Sequence, residues 1–190
     1  MLEKIPHAVG EALSGLRAGI EKTACHAEFE VVPAIIRVTS PAFGDAAALP
    51  ARFTQDGVKL SPPLAWSGIP VGTAALVLLV EDADSPTPKP IVHAIAWDLD
   101  PASEGLSEGA LASPGSDGTV EEVGKNTFLK AGYLPPDPPT GHGPHRYLFQ
   151  VYALNRHLGL DGAPGRGALL EAMHGHVLAK GVLVGTYERR

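Results

Sequence analysis

The sequence predicts a mainly β protein whose strands pair antiparallel. From residue 35 onward, short runs rich in β-branched and aromatic residues alternate with clusters of Pro, Gly, Ser and Asp. Helical periodicity is scarce between these runs, and strands without intervening helices favour antiparallel pairing over βαβ units. The 190 residues are enough for one sizeable core.

Five strands follow from these runs, at residues 35–40, 74–81, 92–99, 147–154 and 182–187. In residues 147–154 both faces of the strand are mostly apolar, and residues 74–80 are apolar throughout. Strands of this kind are covered on both sides. We therefore expect a central sheet with a second sheet on one face and helices or loops on the other.

Two helices are expected at the two ends of the chain. Leu2, Ile5, Val9, Leu13, Leu16 and Ile20 recur every three or four residues, which predicts one amphipathic helix over residues 6–23. Its three glycines weaken it in isolation, so it should dock on the domain or on a second copy. A late helix is predicted over residues 166–178. We divide the chain into a helical extension, 1–28, and a sandwich domain, 29–190.

Between the strands, residues 103–125 are polar and acidic and are expected to form a long surface excursion. The net charge of −6 provides no basic face for nucleic acid or for an anionic membrane. Cys25 is the single cysteine, which excludes an intrachain disulfide and predicts an idle thiol. The N-terminus does not have the pattern of a signal peptide, and the longest apolar run is too short to span a bilayer. A soluble, cytoplasmic protein without membrane insertion is expected.

Polar residues gather at the ends of two predicted strands. Asp82 and Asp84 follow an apolar strand, and His93 lies inside the next one. They form either a capped turn with a stray histidine or one wall of a site. A proline-rich loop at residues 134–139 and a glycine-rich turn lead into His145, Arg146 and Tyr147 at the start of another strand. Polar groups placed by loops at the ends of rigid strands are typical of binding sites.

These motifs resemble the phosphatidylethanolamine-binding protein family, in its bacterial Raf-kinase-inhibitor-like branch of the YbhB and YbcL type. The resemblance covers about residues 35–190. The matching blocks are Asp82-Ala83-Asp84-Ser85-Pro86, then His93, then Gly143-Pro144-His145-Arg146-Tyr147, together with Ser61-Pro62-Pro63-Leu64-Ala65-Trp66, Gly175-His176-Val177-Leu178 and Gly185-Thr186-Tyr187. Each block alone is weak, but their order and spacing are specific.

The resemblance implies an antiparallel two-sheet β-sandwich with a small anion pocket at one end. The implied ligand-binding residues are Asp82, Pro86, His93, Pro136, His145 and Tyr147, with the loop 134–139 over them. It also implies that Arg146 is structural, and we assign its partner as Asp84. No cofactor and no metal are expected, because His93, His145 and Asp82 lack a tight metal-ligand spacing. His142, His174 and His176 are not expected to be ligands.

The chain departs from the family pattern at three positions. Ala83 replaces a usual proline, Ala94 follows His93 where bacterial relatives tend to have tryptophan, and Pro135 replaces a glycine of the loop. The change at Pro135 is expected to narrow the mouth of the pocket or to remove a loop amide from the anion.

The expected function is non-enzymatic binding of a small anionic or phosphorylated ligand, such as phosphate or a phosphoethanolamine-like lipid head group, with a regulatory role among the options. Imidazoles, a tyrosine hydroxyl and loop amides would be its donors. Asp82 fits such a pocket if it partners an imidazole or reads an ammonium group. The alternatives are an inhibitor of a kinase or serine protease and, ranked last, a hydrolase using Asp82 and His93. The N-terminal helix predicts a homodimer.

Overall fold

The structure is a computed structural model that describes residues 6–189. Its elements in chain order are α1 (His7–Leu13), α2 (Ala24–Ala27), β1 (Arg37–Thr39), β2 (Ala47–Ala48), β3 (Leu64–Ser67), β4 (Ala75–Asp82), β5 (Ile91–Leu99), β6 (Gly105–Leu106), β7 (His145–Leu154), α3 (Arg166–Met173) and β8 (Val177–Tyr187). Two single 3₁₀ turns lie at Ile20–Lys22 and Ala51–Phe53.

The centre of the fold is a five-stranded sheet in the order β2-β8-β7-β4-β5. Its long strands pair antiparallel, and only the two-residue β2 runs parallel to its neighbour β8. The register of β4 and β7 places Asp82 opposite Tyr147, at the end of the sheet where β4 stops and β7 begins. Two sequence motifs that are distant along the chain therefore meet at one sheet end.

Both faces of this sheet are covered. On one face, the three-stranded sheet β1-β3-β6 encloses a core that contains Trp66, Leu78 and Phe149. On the other face, α2, α3 and the segment that follows α2 enclose a second core. The apolar character of both faces of β4 and β7 has this cause, and the prediction of a mainly β, sandwich-like fold is confirmed.

The prediction of one amphipathic helix over residues 6–23 is wrong. Helix α1 ends at Leu13, and the chain then bends through Gly15 and Gly19, which adopts φ 102°. A 3₁₀ turn and the four-residue α2 follow. Glycine favours such a break because it adopts positive φ without a steric penalty. Leu2 and Ile5 of the predicted apolar stripe lie outside the described residues.

The N-terminal segment packs on the sheet through its second half. Ala24 and Cys25 are buried in the second core, and the backbone N–H of Ala24 donates to Glu81 Oε2 at 2.7 Å. The Gly19 N–H donates to the carbonyl of Ala83, which follows β4. The domain boundary at residue 28 stays a prediction, but the residues just before it are part of the core.

Two further boundaries differ from the sequence-based ones. The late helix ends at Met173 rather than near residue 178, because the chain turns at Gly175 with φ 78° and enters β8 at Val177. The excursion at residues 103–125 is not wholly superficial, since it supplies β6 and buries Ala110 and Leu111. Within residues 6–189, the helices are too short and too polar to cross a bilayer.

Candidate ligand-binding site

The two acids of the predicted site lie in a tight turn at the end of β4. The backbone N–H of Asp84 donates to Asp82 Oδ1 at 2.8 Å, so that the two carboxylates leave the strand in different directions. Such local side-chain to backbone bonds are why Asp terminates strands well. Both acids are almost fully buried, which requires partners for their charges.

His93 owes its position to an irregularity in the β4–β5 ladder. Val80 pairs with Ala94 and Glu81 with Val92, so His93 is left out of the pairing as the extra residue of a β-bulge. Bulges re-aim side chains, and here the imidazole turns toward Tyr147, whose ring it meets edge-to-face at 5.0 Å. The bulge thereby brings β5 into the same site as β4 and β7.

The backbone of Leu134 fixes the His93 ring. Its N–H donates to the His93 carbonyl at 2.7 Å, and its carbonyl accepts from His93 Nδ1 at 2.6 Å. A carbonyl cannot donate, so Nδ1 carries the hydrogen and the neutral ring leaves Nε2 bare. Among the described residues, His93 Nε2 is buried without a hydrogen-bond partner. Burial lowers the pKa of His93, although the nearby Asp82 acts in the opposite direction.

Asp82 is compensated by His145 rather than by an arginine. His145 Nδ1 lies 2.8 Å from Asp82 Oδ2, and both side chains are buried. The other ring nitrogen, Nε2, lies 2.7 Å from Nδ1 of His142. Both nitrogens of His145 therefore already have partners, and neither is a free donor.

The structure places His142 beside the site, although the sequence had not suggested any such contact. Its Nε2 lies 2.9 Å from the carbonyl oxygen of Leu13 and 3.1 Å from that of Leu16. These partners are backbone groups of a segment more than a hundred residues earlier, so no motif spacing could indicate them. Burial lowers the pKa of His142, and its neighbour His145 lowers it further.

Asp84 and Arg146 form an ion pair beside the site, with the geometry of a fork. Arg146 Nε and Nη2 donate to the two carboxylate oxygens at 2.7 and 2.8 Å, and the Arg146 backbone N–H adds a bond at 2.9 Å. Arg17 contacts the same carboxylate at 3.1 Å. Burial alone would raise the pKa of Asp84, but the hydrogen bonds and charge of Arg146, with Arg17, outweigh it and hold the pKa below its usual value.

Tyr147 completes the cluster from β7. Its ring stacks on His145 at 6.4 Å, and burial raises the pKa of its hydroxyl well above the usual value. The hydroxyl therefore keeps its proton at neutral pH and is available as a donor. The cluster thus brings together three kinds of group. The Tyr147 hydroxyl is a donor, His93 Nε2 is a bare acceptor, and the charge of Asp82 is compensated by His145.

The loop over this cluster is fastened at several points. The Pro136 carbonyl accepts from Gln55 N–H, Asp137 pairs with Arg189 at 2.7 Å, and the Tyr133 hydroxyl donates to the Phe53 carbonyl. Pro136 is buried, and Pro86 is half-buried. Asp82, His93, His145 and Tyr147 are each at most 4% exposed, so the site is closed to solvent in this structure.

Other features of the described residues lie away from this cluster. A groove of about 540 Å³ runs along residues 87–92 and 125–127, and a cavity of about 430 Å³ lies between β1 and β8; neither is lined by the four clustered side chains. No group of three or more His, Cys, Asp or Glu residues within 6–189 is arranged to hold a metal ion. Burial raises the pKa of Cys25, which packs in the second core.

Comparison with known proteins gives the same relationship from sequence and from structure. A protein of Pyrococcus horikoshii, UPF0098 protein PH1269, is 40% identical over 152 residues, which cover 80% of this chain and 76% of that protein. A phosphatidylethanolamine-binding protein homologue from Chlamydia trachomatis superposes with a TM-score of 0.73 at 36% identity, covering 82% of this chain and 98% of its own. Escherichia coli YbcL superposes with a TM-score of 0.74 at 25% identity, covering 83% and 100%.

The family model described as "Phosphatidylethanolamine-binding protein" matches residues 39–188. This range contains β4, β5 and β7 and every ligand-binding residue that the resemblance had implied. The chain therefore belongs to the phosphatidylethanolamine-binding protein family.

Proposed function

We propose that this protein binds, without turnover, a small phosphorylated or anionic ligand in the cluster of Asp82, His93, His145 and Tyr147, with Pro86 and Pro136 at its edge. The observation that carries this proposal is the bare Nε2 of His93, which is buried with no partner among the described residues. A buried polar atom without a partner costs about 1–3 kcal/mol, so a ligand that supplies the missing bond gains affinity.

The protonation of His93 selects the form of the ligand. In the neutral ring the bare nitrogen accepts a hydrogen bond, so it suits the P–OH of a monoprotonated phosphate or an ammonium group. A fully ionised phosphate offers only acceptors and would require His93 to take up a proton first. Phosphoethanolamine carries both a phosphate and an ammonium, and is the head group that fits this requirement best.

The charge of Asp82 does not oppose an anion at this site. Its Oδ2 faces His145 and its Oδ1 accepts from Asp84 N–H, so the carboxylate is already compensated within the protein. The hydroxyl of Tyr147 supplies a donor that stays protonated at neutral pH. Entry of the ligand requires a shift of the loop 134–139, because the cluster is closed in the described structure.

The test is calorimetric titration of the full chain with inorganic phosphate, phosphoethanolamine and a short-chain phosphatidylethanolamine. We expect binding by the wild type and at least about tenfold weaker binding by His93→Ala, which removes the bare acceptor. His157→Ala is the control, because His157 is a surface histidine that lies near Asp98 and outside the cluster. The three ligands separate a free phosphate from a head group and from a whole lipid.

The pH gives a second readout. If binding takes up one proton, shared between the phosphate and His93, lowering the pH from 8 should raise the affinity for phosphate. The expected rise is about tenfold per pH unit, until the pH reaches the pKa of the phosphate or of His93. Folded wild type that binds none of the three ligands at pH 6 would contradict the proposal. It would direct the search to a protein partner, such as a kinase or a serine protease that docks on the loop 134–139 above the closed cluster.

We also propose that the protein forms a homodimer through the surface of its N-terminal segment. Val9 and Leu16 are 45% and 57% exposed on this segment, which otherwise packs on its own domain. These two exposed apolar side chains are the candidates for contact with a second copy.

A further inference from the structure

Three side chains and the backbone of the N-terminal segment form one continuous series of contacts beside the pocket. Asp82 Oδ2 contacts His145 Nδ1, His145 Nε2 contacts His142 Nδ1, and His142 Nε2 contacts two carbonyl oxygens, of Leu13 and Leu16. All three residues are at most 3% exposed. Water therefore does not interrupt the series, and the protons in it follow from its donors and acceptors.

The far end of the series is fixed by chemistry. Carbonyl oxygens only accept, so His142 Nε2 carries a hydrogen that the two carbonyls share. A neutral His142 then has a bare Nδ1, which can only accept. Its neighbour at 2.7 Å, His145 Nε2, must in that case be the donor. The backbone of residues 13–16 thereby dictates which nitrogen of His145 carries a hydrogen.

The near end requires another hydrogen. His145 Nδ1 faces Asp82 Oδ2 at 2.8 Å, and a bare nitrogen opposite an ionised carboxylate would be repelled. One hydrogen is therefore needed between Asp82 Oδ2 and His145 Nδ1, and one between His145 Nε2 and His142 Nδ1. A third is the one on His142 Nε2. An ionised Asp82 has no hydrogen, and two neutral imidazole rings carry one each. The series needs three, so it holds one proton more than two neutral histidines supply.

The surrounding charges place the additional proton on His145. This ring touches the Asp82 carboxylate, whereas His142 has the Arg17 guanidinium close by, which donates at 3.4 Å to its backbone carbonyl. The ionisable groups that act on the two rings are Asp82 from β4, His93 from β5, Tyr147 from β7 and Arg17 from the N-terminal segment, and Arg146 acts on Asp82. Among the hydrogen bonds and ion pairs of residues 6–189, the acid that contacts these rings is Asp82.

We propose that His142 is a positioning residue of the pocket, which takes its orientation from the carbonyls of residues 13–16 and thereby holds His145 as the cation opposite Asp82. This inference deepens the proposed function and rests on it for its effect on a ligand. A cationic His145 cancels the charge of Asp82 and leaves the pocket open to an anion. The N-terminal segment is thus part of the binding site through its backbone.

Ring-nitrogen NMR of ¹⁵N-histidine-labelled full chain at pH 7 tests the inference without a ligand. We expect His145 with both nitrogens protonated, and His142 with a hydrogen on Nε2 and a bare Nδ1. His142→Asn keeps an oxygen acceptor near the position of Nδ1, so His145 should stay doubly protonated. His142→Ala removes the acceptor, and the doubly protonated signature of His145 should be lost.

A bare nitrogen on His145 in the wild type, or an unchanged His145 signature in His142→Ala, would overturn the inference. If His142→Ala does not fold, the wild-type spectrum and the His142→Asn variant still decide it. His157→Ala serves as the control for the assignment and for folding.

Titration with inorganic phosphate adds the functional readout. Loss of one charge-assisted hydrogen bond should weaken binding about tenfold in His142→Ala and less than about twofold in His142→Asn. Equal phosphate affinity in wild type and His142→Ala would overturn the proposed role. A wild type that binds none of the three ligands would refute the proposed function, and the NMR result would still decide the proton assignment.

Discussion

His93 is the residue whose environment has the clearest consequence for pH dependence. Its ring is buried, its Nδ1 donates to Leu134, and burial lowers its pKa below the ordinary 6.5. The unfolded chain therefore binds a proton on this histidine at a higher pH than the folded chain does. Stability from neutral His93 is fully present above pH 6.5 and is lost as the pH falls through the folded pKa.

We predict that the free energy of unfolding decreases as the pH is lowered from 6.5 toward 5, by up to about 1.4 kcal/mol per pH unit for each histidine kept neutral. His142, whose pKa is also lowered, acts in the same direction. Asp84 does not contribute in this range, because its stabilisation is lost only as the pH falls below the ordinary 3.8 of an aspartate. Denaturant unfolding at a series of pH values measures the slope.

His93→Asn should flatten this slope, since asparagine does not titrate and its amide can still donate to the Leu134 carbonyl. The matched control is His157→Asn, which changes a mostly exposed histidine and should leave the slope as in the wild type. Identical slopes for wild type and His93→Asn would show that His93 is not the buried base that the structure describes.

Some residues of the site could be predicted from the sequence, and others could not. The Asp-x-Asp block and the His-Arg-Tyr block are local patterns, so Asp82, Asp84, His145 and Arg146 could be singled out from the sequence, and the assigned Asp84–Arg146 pair is present. Arg17 and His142 could not, because their partners are backbone and side-chain atoms about 60 to 130 residues away. Such contacts depend on how the N-terminal segment lies, which periodicity does not contain.

Among the elements, α1 shows how a correct pattern can give a wrong length. The apolar spacing in residues 9–20 has a helical period, yet the helix stops at Leu13 and the bend carries Arg17 to Asp84 and the carbonyls of Leu13 and Leu16 to His142. In a continuous helix both carbonyls would accept the N–H four residues later along the helix axis. Here the Leu13 carbonyl accepts from Leu16 N–H and also contacts His142. The glycines that weaken the helix therefore also permit the contacts with the site.

Gly10 fixes the distance between α1 and the loop that precedes β7. A Cβ at this position would overlap the carbonyl oxygen of Thr140, whereas a Cβ at Gly15 would meet no atom within 4 Å. We predict that Gly10→Ala lowers the free energy of unfolding by about 1–3 kcal/mol, as overpacking does. Gly15→Ala is the matched control and should change it by less than about 0.5 kcal/mol or stabilise slightly. Equilibrium denaturation compares the two.

Because Thr140 lies two residues before His142, the displacement of α1 in Gly10→Ala should also loosen the His142 contacts with Leu13 and Leu16. Phosphate affinity is then expected to fall in this variant and to stay unchanged in Gly15→Ala. Equal stability of both alanine variants would mean that α1 does not rest on the loop as described.

At the scale of the whole molecule, the sequence predicts the layers of the fold better than the order of the strands within each sheet. Apolar residues on both faces of β4 and β7 require two coverings, and the two cores confirm this. The parallel contact of β2 with β8 and the pairing of β6 with β3 rest on two residues each. Segments that short carry no periodicity, so their place in the sheets is set by tertiary packing alone.

The proposed self-association is a property of the whole molecule. Removing residues 1–28 would be a poor test, because Ala24 and Cys25 belong to the second core and their loss would unfold the domain. Charged substitutions on the exposed face avoid this problem: Val9→Asp with Leu16→Asp should shift sedimentation velocity from dimer to monomer, since an aspartate pair would have to be desolvated in the interface. Val71→Asp is the control and should leave the dimer intact. Val71 is fully exposed in the turn before β4 begins, at the end of the strand away from Asp82. If the double variant sediments like the wild type, the N-terminal surface does not form the interface.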